Sequence, residues 1–96
     1  MRKIKVNKFS AEWCGPCKVM GKTFDKVKEL QEFNDVEFNE YDVDDESSAD
    51  LVQKFQIRNI PTIIICDENN EQLGKIVGVV NESLLVQAIN DNRNNG

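Results

Sequence analysis

Histidine is absent from these 96 residues. No imidazole can serve as a general base or a metal ligand, so Ser-His-Asp and Cys-His nucleophile machinery is excluded. Long apolar runs are missing too. The longest, Ile76–Val80, is five residues, whereas a membrane helix needs about 20, so no membrane partner is expected. The opening Met1-Arg2-Lys3-Ile4-Lys5 has none of the apolar stretch of a secretory signal. Basic charge is in deficit: Lys and Arg number 12 against 17 Asp and Glu, a net charge of -5. That balance argues against binding to nucleic acid or anionic lipid, both of which want a basic face. The three cysteines, Cys14, Cys17 and Cys66, are an odd number without a signal, which does not fit a secreted disulfide framework. An apolar fraction of 40% suits one modest core rather than two. A single domain over residues 1–90 is expected, with a frayed polar tail over 91–96 and a monomer as the default state.

The hydrophobic pattern orders the chain. Ile4–Phe9 reads as a strand and runs into Ala11-Glu12-Trp13-Cys14-Gly15-Pro16-Cys17. A helix is predicted from about Cys17 to Phe33, because Met20, Phe24, Val27 and Leu30 form one apolar stripe at helical spacing. Val36–Val43 is strand-like. Asp44-Asp45-Glu46-Ser47-Ser48 suits the cap of a second helix through about Phe55. Arg58–Pro61 reads as a turn. Thr62–Cys66 is a β-branched run expected to be a fully buried strand. Asp67–Asn70 makes a hairpin turn, Leu73–Val79 the last strand, and Asn81 caps a helix with Leu84, Leu85, Ala88 and Ile89 on its apolar side. The order β-α-β-α-β-β-α predicts an α/β fold. Its first strands should be parallel and its last two a hairpin, joined in a four-stranded mixed sheet with helices on both faces.

Cys14 and Cys17 carry the chemistry. A Cys-x-x-Cys between a strand and a helix places the first sulfur at the helix's opening turn. Free N–H groups and the positive end of the dipole stabilise an anion there, so a partly exposed Cys14 thiolate is favoured near neutral pH. Cys17, one turn inward, can attack a mixed disulfide formed at Cys14. Pro16 fits the first turn, where no N–H partner is lost, and Gly15 leaves the approach to Cys14 open. Half of a zinc knuckle is the competing reading, but structural zinc wants four ligands and the chain has no His and one further Cys; a purely structural disulfide is a second. The acids at Asp42–Glu46 lack the longer ligand set and central Gly of a calcium loop. No metal and no cofactor are expected. Cys66 reads as a small core hydrophobe.

Ala11-Glu12-Trp13-Cys14-Gly15-Pro16-Cys17-Lys18 resembles the active-site signature of the thioredoxin family. Ile60-Pro61-Thr62 is similar to that family's cis-proline loop, and Asp42-Val43-Asp44-Asp45 and Gly74-x-x-x-Gly78 match family positions. The likeness runs from Ile4 to Ile89. It implies a thioredoxin-like fold and a cytoplasmic protein dithiol–disulfide oxidoreductase. Cys14 would attack a substrate disulfide and Cys17 would resolve the intermediate. Pro61 would be cis and face the pair, and the backbone of Ile60 would bond an extended substrate segment. Trp13, Gly78 and the Ile60 side chain, with Gly15 and Pro16, would make the docking surface. Disulfide-containing proteins would be the substrates and a thioredoxin reductase the recycling partner.

Two departures bear on these expectations. The family's extra strand and helix ahead of the first shared strand have no counterpart here, which leaves Val36–Val43 as an edge guarded by Glu37, Glu40 and Asp42. The short length also brings in a glutaredoxin-like donor, fed by glutathione or serving ribonucleotide reductase, as the alternative; a non-catalytic binding module is a further one. Finally, the family carries a buried Asp six residues before the first Cys, and Lys8 stands there. Glu40 falls where a partner Lys is common. A charge-swapped pair is expected, Glu40 supplying a carboxylate for Cys17 and Lys8 holding it ionised. The competing expectation is that Lys8 reaches out to solvent and Glu40 is an ordinary edge acid.

Overall fold

The computed structural model describes residues 1–94, so positions 95 and 96 of the expected tail lie outside the described residues. Four strands form one sheet: β1 (Ile4–Ser10), β2 (Glu37–Asp42), β3 (Thr62–Asp67) and β4 (Gln72–Val77). Their spatial order is β2-β1-β3-β4. β1 runs parallel to β2, with Lys8 opposite Glu40, and antiparallel to β3, with Lys8 opposite Ile63. β3 and β4 form the antiparallel hairpin. The mixed α/β sheet therefore has the predicted connectivity, with β2 at one edge.

Three helices cover it: α1 (Gly15–Lys28), α2 (Ala49–Lys54) and α3 (Glu82–Asn94). On one face Ile4, Val6, Ile63 and Ile65 pack against Met20, Phe24 and Val27 of α1 and Leu85 and Ile89 of α3. Full burial of a side chain such as Phe24 contributes roughly 1.5–3 kcal/mol. On the other face Phe9, Ile64 and Cys66 meet Phe55, with Leu51 and Val52 of α2 beside them. All of Thr62–Cys66 is buried, as its unbroken β-branched run requires.

Two helix ends depart from the hydrophobic pattern. α1 stops at Lys28; Leu30 turns extended (ψ 132°) and Gln31–Phe33 form a short 3₁₀ turn. In an unbroken helix Phe33 would lie about 180° around the axis from Phe24. The break swings Phe33 back into the same core, where it is fully buried. At the other end α3 continues past Asn90 to Asn94. Arg93 lies four residues after Ile89 and eight after Leu85, so it extends their buried stripe. Its guanidinium bonds Glu32 O at 3.1 Å and Asp35 Oδ1 at 3.0 Å and lies 5.0 Å from the Phe33 ring. Leu84 is exposed rather than on the apolar side, because the face is set by Leu85 and Ile89 and Leu84 falls about 100° away. Its N–H is bonded at 2.8 Å by the Asn81 side chain, the predicted cap.

Candidate active site

Strand β1 delivers the chain to the start of α1. A turn at Ala11–Cys14, closed by Cys14 N–H to Ala11 O at 3.2 Å, places Cys14 as the N-cap residue. Its φ of -89° and ψ of 107° are extended, as a cap requires. The Cys17 N–H donates to Cys14 Sγ at 3.2 Å. A sulfur thus takes the role that a Ser or Asp oxygen fills in most helices. The first turn of α1 holds no Asp or Glu, while Lys26 and Lys28 sit at its far end. The positive end of the dipole is left free for the sulfur. Pro16 occupies the opening turn, and Gly15 has open space where a Cβ would lie.

Cys14 and Cys17 are joined as a disulfide, with their Cα atoms 5.2 Å apart. Cys14 is buried, at 5% relative exposure, not partly exposed as expected from the sequence. Ala11 and Cys17 pack around it, and Ile60 and Val43 close over this small apolar cluster. The Ile60–Pro61 bond is cis. Cys14 Sγ lies 4.0 Å from the Ile60 carbonyl oxygen. Gly78 holds this loop from the other side: its N–H donates to Pro61 O at 2.8 Å, at a φ of +90° that favours glycine. Two stretches of chain 46 residues apart thus meet at the Cys14 sulfur.

Around the pair, Trp13 is 71% exposed and anchored by its indole N–H to Asp44 Oδ2 at 2.7 Å. Sequence reasoning gave the run Asp44–Ser48 to the cap of a second helix. Within it Asp45 caps the short 3₁₀ turn Glu46–Ser48 ahead of α2, accepting from Ser47 N–H at 3.0 Å and from its hydroxyl at 2.9 Å. These bonds hold the Asp45 carboxyl below its ordinary pKa. Val77 and Val79, also missed, leave apolar surface exposed on either side of Gly78. The alternation of the last strand contained that signal.

Lys8 does not reach out to solvent. Its side chain is 7% exposed and its Nζ lies 2.7 Å from Glu40 Oε1, so the cross-strand pair exists. The Glu40 side chain is 49% exposed. A cavity of about 230 Å³ lies beside Cys17, lined also by Lys8, Gly21 and Asp42 among others. Glu40 is not among its lining residues. Cys66 is far from this site in the sheet, fully buried, and accepts from the Asn7 amide at 3.5 Å. Burial pushes its thiol pKa up. No group of three or more His, Cys, Asp or Glu among the described residues is arranged to hold a metal ion.

The thioredoxin family model matches residues 1–91. The chain belongs to the thioredoxin family. It is 34% identical to a thioredoxin of Ictalurus punctatus over 95% of this chain and 81% of that protein. It is likewise 34% identical to thioredoxin-2 of Saccharomyces cerevisiae over 94% and 81%. The solved thioredoxin of Malassezia sympodialis superposes with a TM-score of 0.82 at 34% identity, covering 96% of this chain and 76% of that one. The thioredoxin fold named by these relatives is the four-stranded sheet described above, and the Cys14–Cys17 pair sits at the family's redox position. The chain is a thiol–disulfide oxidoreductase. No helix among the described residues is long and apolar enough to cross a membrane.

Proposed function

We propose that this thioredoxin reduces disulfides in protein substrates, with Cys14 as nucleophile and Cys17 as the resolving thiol. The observation that carries the reading is the placement of Cys14 Sγ at the N-cap of α1, bonded by the Cys17 N–H and facing Ile60 O. In the dithiol form the Cys14 thiolate attacks one substrate sulfur. A Cys14–substrate disulfide forms, the substrate S–S bond breaks, and the first substrate sulfur leaves with the electron pair and takes a proton from solvent. Cys17 then loses its proton and attacks Cys14 Sγ. The Cys14–Cys17 bond forms, the mixed bond breaks, and the second substrate sulfur departs and is protonated. Two electrons and two protons pass to the substrate.

Ile60 and Pro61 are assigned to the substrate backbone, in the manner of an added strand. Trp13, Gly78, Gly15 and Pro16, with Val77 and Val79, supply the surrounding surface. Lys8 and Glu40 are assigned to the chemistry of Cys17. The working unit is one domain over residues 1–90, a cytoplasmic monomer, recycled by a thioredoxin reductase. The reducing Gly15-Pro16 spacer and the family supports this over a donor fed by glutathione.

The test is reduction of a disulfide-linked protein with NADPH and thioredoxin reductase. Turnover is expected for the native chain, none for Cys14→Ser, and an accumulating mixed disulfide for Cys17→Ser. Activity retained in Cys14→Ser, or recycling by glutathione in place of the reductase, contradicts the assignment.

A further inference from the structure

Lys8 is a charged side chain held almost wholly out of water, and it lines a cavity with Cys17. Burying a charge is costly and is not required for packing here, since a Met or Leu would also fill space against Phe24, whose ring centre lies 5.3 Å from Nζ. The position of the charge is specific. Nζ stands 3.2 Å from where a Cβ on Gly21 would lie. Gly21 is one turn beyond Cys17 on the same face of α1. The missing side chain at Gly21 thus makes the room in which the ammonium sits, beneath the turn that carries Cys17. Lys8 and Cys17 line the same cavity.

We infer that Lys8, not a carboxylate, is the charged group that steadies the Cys17 thiolate during resolution, acting across this cavity as a positioning residue. The inference rests on the resolving role given to Cys17 above. The Cys17 proton leaves through the cavity, which has room for water, and the electron pair left on sulfur is stabilised by the nearby positive charge until it forms the bond to Cys14 Sγ. Glu40 fixes the ammonium by its 2.7 Å contact from β2.

The other charges around the cavity are differently placed. Asp42 of β2 lines it, but the side chain is exposed and Oδ1 accepts the Asp44 N–H at 2.9 Å. Glu12 and Lys18 line it from the loop and first turn of α1, and both are exposed, where water screens them. On β3 the residue beside Lys8 is Ile63, which carries no charge.

The experiment uses the reduced full chain and an aromatic disulfide whose released thiol is coloured. The first equivalent reports attack by Cys14 and the second reports resolution by Cys17; each is followed by stopped flow across pH. Lys8→Met is expected to move the midpoint of the second phase up by about one pH unit and slow it about tenfold at neutral pH. The first phase should be unmoved, and Lys8→Arg should keep the native profile. Asp42→Asn is expected to leave the second phase at the native midpoint or below it. Gly21→Ala, which crowds Nζ while favouring helix, gives a second route to the same upward shift should Lys8→Met not fold. An unmoved profile in folded Lys8→Met, or in Gly21→Ala if that variant must stand in, overturns the inference. So does a slowed second phase in Asp42→Asn, which would return the role to a carboxylate. Release of two equivalents by Cys17→Ser would instead remove the resolving role itself.

Discussion

Two buried cations, Lys8 and Arg93, sit at opposite ends of β1, and they are built alike. Each side chain is 7% exposed, each pairs with an acid that is about half exposed, and each lies over a phenylalanine ring. Their surroundings separate them. Arg93 fastens pieces of chain together: it bonds the Glu32 carbonyl, Asp35 and Asn90, and its own carbonyl accepts the Arg2 N–H at 3.1 Å. Lys8 pairs across two strands and borders a cavity it shares with a reactive sulfur. A buried charge whose terminal nitrogens bond backbone and side-chain acceptors is a structural tie. One that faces open space beside a thiol is placed for chemistry.

The largest effect expected from this contrast is at Arg93. Arg93→Met should cost about 2 kcal/mol, because it orphans the Glu32 carbonyl and unties the end of α3, with Asp35 still able to turn to water. Urea unfolding reads this, and disulfide reduction per folded molecule should be unchanged. Lys8→Met should change stability by less than about 1 kcal/mol in either direction, since Glu40 is half solvated and a Met packs well on Phe24. A large loss in Lys8→Met with none in Arg93→Met would invert the comparison. The smallest effect belongs to a charge outside both sites. Asp45 is fully exposed, and its bonds to Ser47 lower its folded pKa beneath the unfolded value. Its contribution is therefore present above the unfolded pKa and lost as pH falls through the folded one. Asp45→Ala should slightly flatten the acid limb of a stability-against-pH curve, with the two buried pairs unaffected.

Local chemistry made much of the site readable. Cys14, Pro16 and Cys17 announce a helix start whose cap is a sulfur, and the Thr62–Cys66 run announces a central strand, because both depend on residues adjacent in sequence. Lys8 and Glu40 were legible as a pair only through their positions relative to the motif. Which of them lines a cavity with Cys17 depended on the direction of the β1 side chain and on the gap left by Gly21. The Asp44–Ser48 run left the capping acid open for a related reason. Two neighbouring acids are equally good caps on paper, and the reach of Trp13 decides which one is taken elsewhere. Phe33, Leu84 and Arg93 show the limit of periodicity: a stripe gives the helix face but not where the helix ends, since a break or an extension can bury a residue the pattern leaves out.

By itself the order of residues determined the β-α-β-α-β-β-α course, the redox pair and the family, because caps, turns and β-branched runs act over a few neighbouring positions. Tertiary structure decided the rest. It brought Ile60 to the sulfurs, tied Gly78 to Pro61, buried Cys14 beneath Ile60, and lined one cavity with both Lys8 and Cys17. These are meetings between distant segments, made only when the sheet and helices pack and water is excluded from between them.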